Sequence, residues 1–217
     1  NGYAGTGKTT LIAAIVAALK MLGIKTILLA PTGRAAKVLS QYTSEKALTI
    51  HKRIYREQTN AQYESKFSLN LNREVETLFI VDEASMLSTG SSSDKTLFGS
   101  GSLLEDLIQY VRSGKRCRLM LVGDSAQLPP VGDDFSPALC PAELLPYADV
   151  VYETMDEVVR QEQTSGILFN ATLVRCMLEN SIYEIPKLDT SFDDVEALNG
   201  GEFLERLQEC YDRYGRD

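Results

Sequence analysis

Near its start the chain reads Gly2-Tyr-Ala-Gly5-Thr-Gly7-Lys8-Thr9, which satisfies the spacing G-x-x-x-x-G-K-[ST] and runs directly into an apolar stretch of helical character. Glycines in such a loop let backbone amides turn inward. The segment Gly2, Ala4, Gly5, Thr6 and Gly7, continuing through Lys8, Thr9 and Thr10, would thus cradle a polyphosphate at a helix N-terminus. Lys8 would reach the β- and γ-phosphates of ATP, and Thr9 would hold Mg²⁺. Further on, the run Leu78-Phe-Ile-Val81 ends in Asp82-Glu83. At the tip of a buried strand beside a phosphate loop, Asp82 would hold Mg²⁺ through water, and Glu83 would polarise the attacking water as a catalytic base. The run Leu119-Met-Leu-Val122 closes with Gly123-Asp124-Ser-Ala-Gln127-Leu-Pro-Pro-Val-Gly132. A Gln127 amide near a γ-phosphate can donate to it or orient the lytic water, and the prolines would fix that loop. Taken singly, an Asp-Glu pair is an ordinary solvated turn and a Gln-Leu-Pro-Pro run an ordinary proline turn. Their company with the phosphate loop gives them chemistry.

Six segments appear in one order: Gly2 to Thr10, Pro31-Thr-Gly-Arg-Ala-Ala36, Thr49-Ile-His51, Val81-Asp-Glu-Ala-Ser-Met86, Gly123 to Gly132, and Val159-Arg160-Gln161. In type and order they resemble motifs I, Ia, Ib, II, III and IV of RecD-like superfamily 1 DNA helicases, over roughly residues 1 to 178. The resemblance implies a motor of two RecA-like domains with ATP between them, stepping 5′ to 3′ along single-stranded DNA. It implies that Arg160 is a catalytic, nucleotide-binding arginine that senses the γ-phosphate. It also implies that Thr32, Arg34, Thr49 and His51 line the DNA track, where hydroxyls, a cation and an imidazole suit phosphate and sugar. For Arg160 the plainer role is a surface salt bridge, for Arg34 a solvated helix charge, for His51 a cap or core position.

The interval 57–76 lies where the family carries a small pin hairpin at the duplex fork. Here Phe67, Leu69 and Leu71 alternate with Ser68, Asn70 and Asn72, a period-2 pattern suited to a strand. Phe67, or Tyr63 close by, would stack on an exposed base if it sits at the tip. Equally, these apolar side chains would simply pack the hairpin onto the main body.

The elements that must position these residues follow from periodicity. Thr9 to Leu22 is hydrophobic nearly all round and stops at Gly23, which predicts a buried helix. Short apolar runs at Lys25 to Ala30, Leu78 to Val81 and Leu119 to Val122 predict central parallel strands, with Val150 to Tyr152 a candidate for another. Helices are predicted near Arg34 to Gln41 and at Leu103 to Arg112. The pattern is α/β: a P-loop NTPase, RecA-like parallel sheet with helices on both faces and a small protruding hairpin. Residues 1–180 would form this motor domain. Residues 181–217 would be an acidic linker and a helix carrying Phe203, Leu207, Cys210 and Tyr214 at helical spacing, leading to a second RecA-like domain. The strand that ordinarily precedes a phosphate loop would lie before Asn1, so the sequence reads as part of a longer chain.

Composition narrows the partners. With 217 residues and a net charge of −8, the chain is not a protein that coats nucleic acid by bulk electrostatics, so contact with single-stranded DNA or a duplex fork must be local. No apolar run spans a membrane and no secretory signal is visible, which points to a cytoplasmic protein without a membrane partner. Four scattered cysteines and a single histidine give no zinc pattern and read as reduced, buried thiols. Rival readings are another P-loop ATPase, such as a AAA+ loader, and a nucleotide- or DNA-binding module without turnover.

Overall fold

The structure, a computed structural model, describes residues 1–3, 5–59, 65–89, 98–155 and 165–215. In chain order its elements are helix α1 (Lys8–Met21), strand β1 (Thr26–Ala30), α2 (Gly33–Thr43), β2 (Ala47–Thr49), α3 (Ile50–Ile54), β3 (Tyr55–Thr59), β4 (Ser65–Leu69), β5 (Leu78–Val81), a 3₁₀ turn (Ala84–Met86), α4 (Leu103–Ser113), β6 (Arg118–Leu121), a second 3₁₀ turn (Pro137–Leu139), α5 (Pro141–Leu144), α6 (Gly166–Glu179) and α7 (Glu202–Tyr214).

Four strands form one parallel sheet in the order β2-β1-β5-β6. Leu28 is in register with Ile80, and Ile80 with Met120; Leu29 is in register with Val81, and Val81 with Leu121. Because side chains alternate, these two rows face opposite ways. Leu28, Ile80 and Val122 pack with Ile12 and Val16 of α1 and Leu39 of α2. Leu29, Phe79 and Val81 pack with Ile50 and Ile54 of α3 and Leu104 and Leu107 of α4. The sheet is therefore covered on both faces, which is why its strands are apolar runs rather than alternating ones.

Several expectations need correcting. Helix α1 is not buried all round: Ile12 and Val16 are buried, but Leu11, Met21 and Leu22 are exposed among the described residues. It covers one face of a four-stranded sheet, and that takes one stripe. Residues Val150 to Tyr152 form no strand; an isolated parallel bridge pairs Gly2 with Met155 instead. Along the free edge of β6 lies a groove of about 690 Å³, walled by Leu119 and Leu121 on one side and Val150 and Tyr152 on the other. Among the described residues no strand pairs with that edge. The cysteines are not buried: Cys176 and Cys210 are exposed, and Cys117 and Cys140 half-buried, all as free thiols.

By contacts the chain divides into two compact units, Asn1–Arg160 and Gln161–Asp217. In the second unit the acidic stretch is more than a linker, because it is bonded to α6. Asp194 accepts from the Ser165 hydroxyl (2.8 Å) and from the amides of Gly166 (2.8 Å) and Ile167 (3.3 Å), a carboxylate satisfying the open amides of the helix start. Asn170 and Asp189 exchange two hydrogen bonds at 2.8 and 2.7 Å. Helix α7 forms as expected, although no residue along it is buried. Among the described residues, no helix is long and apolar enough to cross a membrane.

Candidate nucleotide site

Parallel strands deliver their carboxyl ends to one edge, and the chemistry-bearing residues collect there. Thr49 ends β2, Thr32 follows β1, Asp82 follows β5, and Gly123-Asp124 follows β6. The phosphate loop joins that edge directly: the Gly2 amide donates to the Gly123 carbonyl at 3.0 Å, and the Tyr3 amide to the Met155 carbonyl at 3.4 Å.

Within the loop, Gly5 (φ 81°) and Gly7 (φ 82°) are left-handed. Gly7 is the N-cap of α1, so the chain enters that helix through a conformation that side-chain-bearing residues rarely adopt. Thr6 is buried, and its hydroxyl donates to the Tyr3 carbonyl at 2.8 Å, closing the loop on itself. Lys8 opens the helix. Its Nζ donates to the Gly2 carbonyl (2.7 Å) and the Tyr3 carbonyl (2.8 Å) and stands 3.8 Å from Asp124 Oδ2. Thr9 is half-buried and Thr10 exposed in the first turn of α1. Ala4 lies outside the described residues.

Asp82 is 7% exposed, and its Oδ1 accepts the Glu83 amide at 3.0 Å. Burial pushes the Asp82 carboxyl above the usual range, against the opposing pull of the Glu83 amide and the Lys8 charge. Glu83 is also raised, first by burial and then by the neighbouring Asp82 and Asp124 charges, with Lys8 opposing. Its backbone is left-handed (φ 55°), a strained conformation for glutamate of the kind that clusters at functional sites. The turn is held by the Ala84 amide, which donates to the Val122 carbonyl at 2.9 Å. Gly123 lies against it: a Cβ there would come within 3.0 Å of the Ser85 nitrogen and 3.3 Å of the Ala84 nitrogen. Lys8, Asp82, Glu83 and Asp124 thus share one electrostatic neighbourhood. Gln127 is exposed, with its amide donating to the Asp124 carbonyl at 3.2 Å.

Mg²⁺ fits this donor set. Hydroxyl and carboxylate oxygens of Thr9 and Asp82 are hard ligands, and Asp82 is a buried carboxylate next to the Lys8 charge of the phosphate loop. No group of three or more His, Cys, Asp or Glu among the described residues could hold a metal alone. Sparse protein ligation suits an ion that keeps waters and shares substrate phosphates.

The residues expected along a DNA track are spread over the same edge. The hydroxyls of Thr32 and Thr49 accept from the amides of Ala35 (3.2 Å) and Lys52 (3.3 Å), capping α2 and α3. Each retains its own proton to donate. Arg34 is exposed. His51 is half-buried, its ring 5.6 Å from Tyr55 and 5.2 Å from Phe98, and burial lowers its pKa, leaving it neutral at pH 7. Phe67 is not at a hairpin tip. It sits in mid-strand opposite Glu57 and stacks on Phe98 at 4.5 Å, packed against the main core. Leu71, expected on the same face, lies past the strand and is exposed. Tyr63 and Arg160 lie outside the described residues.

A parallel sheet covered on both faces, with a phosphate loop and an Asp-Glu pair at its strand ends, defines a P-loop NTPase of RecA-like architecture. The AAA domain family matches residues 1–175, and the chain belongs to that family. Among curated relatives, the ATP-dependent RecD2 DNA helicase of Deinococcus radiodurans is 33% identical over 146 residues, covering 67% of this chain and 18% of its own length. The ATP-dependent DNA helicase dda of Enterobacteria phage T4 is 36% identical over 138 residues, covering 60% of this chain and 27% of its own length. A crystal structure of Bacteroides Pif1 bound to single-stranded DNA aligns with all of this chain and 52% of its own, at 18% identity and a TM-score of 0.45. The chain therefore spans well under a third of the two curated relatives. The two helicase relatives accord with the resemblance to RecD-like superfamily 1 helicases carried by the motifs.

The sequence missed two things at this site. Asp124 had no role assigned, though its place after a buried strand next to Gly123 was a signal. The close approach of Gly123 to the Asp82-Glu83 turn is a tertiary fact with no local signature.

Proposed function

We propose that this chain is the ATP-binding motor domain of an ATP-dependent DNA helicase, binding ATP with Mg²⁺ on the loop Gly2 to Thr10. The observation that carries this reading is the convergence of Lys8, Asp82, Glu83 and the Gly123-Asp124 segment at the carboxyl ends of one parallel sheet. Inward-facing amides of the loop hold the phosphates, and Lys8 moves from the Gly2 and Tyr3 carbonyls onto them. Thr9 and Asp82 hold Mg²⁺, which neutralises phosphate charge when bound. Glu83, with its affinity for a proton raised by burial, accepts one from the attacking water. Gln127 and Arg160 act on the γ-phosphate, as the motif order implies. Thr32, Arg34, Thr49 and His51 supply DNA contacts, and stepping is 5′ to 3′ along single-stranded DNA. In this reading Phe67 anchors the β3–β4 hairpin rather than stacking on a base.

Two measurements test it. Calorimetry should detect ADP binding with Mg²⁺, and Lys8→Ala should weaken it about tenfold or more, the worth of a charge-assisted phosphate contact; equal affinity contradicts the site. In the full-length protein, hydrolysis should be stimulated by single-stranded DNA, and Glu83→Gln should bind nucleotide normally while losing about 10²-fold or more of turnover. DNA-independent hydrolysis would favour another P-loop ATPase, and binding without turnover a nucleotide-binding module.

A further inference from the structure

Asp124 is a buried carboxylate that neither phosphate cradling nor metal binding employs. Its side chain is 3% exposed. Oδ1 accepts the Ala126 amide at 3.0 Å, while Oδ2 faces the Lys8 ammonium at 3.8 Å, beyond hydrogen-bond reach but close for opposite charges. Lys8 spends two of its three donors on the Gly2 and Tyr3 carbonyls at 2.7 and 2.8 Å, so the ammonium is folded back over the entry to its own loop. A nucleotide phosphate and this arrangement compete for one cation. The same carboxylate adds a negative charge beside the place the phosphates would occupy.

We infer that Asp124 is a positioning residue that draws Lys8 back onto the Gly2 and Tyr3 carbonyls, opposes phosphate for that ammonium and so promotes nucleotide release. The inference rests on the proposal that this loop binds nucleotide. Asp124 also sets the start of the Gln127 loop, because its carbonyl accepts the Gln127 amide at 3.2 Å. The return of Lys8 and the shape of that loop are therefore tied to one residue.

Asp124→Asn tests the charge and spares the shape, because an amide oxygen still accepts the Ala126 N–H. In calorimetry with ADP, the variant should bind about fivefold tighter or more than the wild type, since one opposing charge is removed at short range. In steady-state hydrolysis by the full-length protein, KM and kcat should fall together as release slows. A residue that merely shaped the loop would weaken binding or leave it unchanged, and either result in a folded variant overturns the inference. Should the Asn variant fail to fold, Asp124→Glu extends the charge toward Lys8 and should weaken ADP binding; equal or tighter binding overturns the inference. Absence of ADP binding by the wild type would remove the nucleotide reading and this one with it, whereas intact wild-type binding with an unresponsive Asp124→Asn removes only this one.

Discussion

Burial disfavours the ionised form of Asp82, and that makes folding stability depend on pH. A carboxyl whose folded pKa lies above its unfolded value favours the folded state when protonated. That contribution is present below the ordinary carboxylate range and is lost as pH rises through the raised value. At neutral pH the Asp82 charge is therefore a burden on the nucleotide-free fold. Asp82→Asn should raise Tm at about pH 7, and the gain should vanish near about pH 3, where the unfolded carboxyl is protonated as well. Calorimetric scans at the two pH values check this, and an unchanged or lower Tm at neutral pH contradicts it. At this scale the sequence was most legible where a motif fixes both residue type and spacing, as in Gly7-Lys8-Thr9 and Asp82-Glu83. It was least legible where a side chain's role depends on what faces it across the fold. Nothing adjacent in the chain announces that Asp124 meets Lys8, or that Thr32 and Thr49 cap helices.

The β3–β4 hairpin shows how elements settle a choice that residues leave open. Its alternation was readable, but which way the apolar row pointed was not, because a period of two fits either face. Two anchors decide it. Phe67 stacks on Phe98, and the buried Tyr55 hydroxyl donates to Asp106 Oδ2 at 2.6 Å, with the Ser100 amide donating to the same oxygen at 3.0 Å. Burial and the Asp106 charge both push the Tyr55 hydroxyl pKa upward. Asp106→Ala would strand that hydroxyl and is expected to cost about 1–3 kcal/mol. Phe67→Ala should cost about 2–3 kcal/mol, less than a fully buried phenylalanine. Denaturant unfolding of both variants is the check; a Phe67→Ala chain as stable as wild type would return that residue to a surface role. The apolar runs at β1 and β5 were legible because central parallel strands carry no polar row; β6, expected to be central and buried as well, is a half-buried edge strand. Strand β2, three residues long, and α3, five residues long, were not legible, since neither spans enough periods to show one.

At the scale of the whole molecule, the net charge of −8 argues against coating nucleic acid by bulk electrostatics, so any such contact has to be local. Fold class followed from the alternation of apolar runs and helical stretches. The bonds from Asp194 and Asp189 to α6 were not legible, because they join residues 19 or more positions apart. One feature of the first unit bears on behaviour in a concentrated sample. Among the described residues no strand pairs with the outer edge of β6 at Leu119-Met-Leu121, and half-buried apolar side chains lie beside it. Such an edge is a template for a strand from another molecule. Turbidity and light scattering of this 217-residue chain should therefore rise more steeply than in proportion to concentration. A dilution series scattering in strict proportion to concentration would mean that the edge is already shielded from its neighbours.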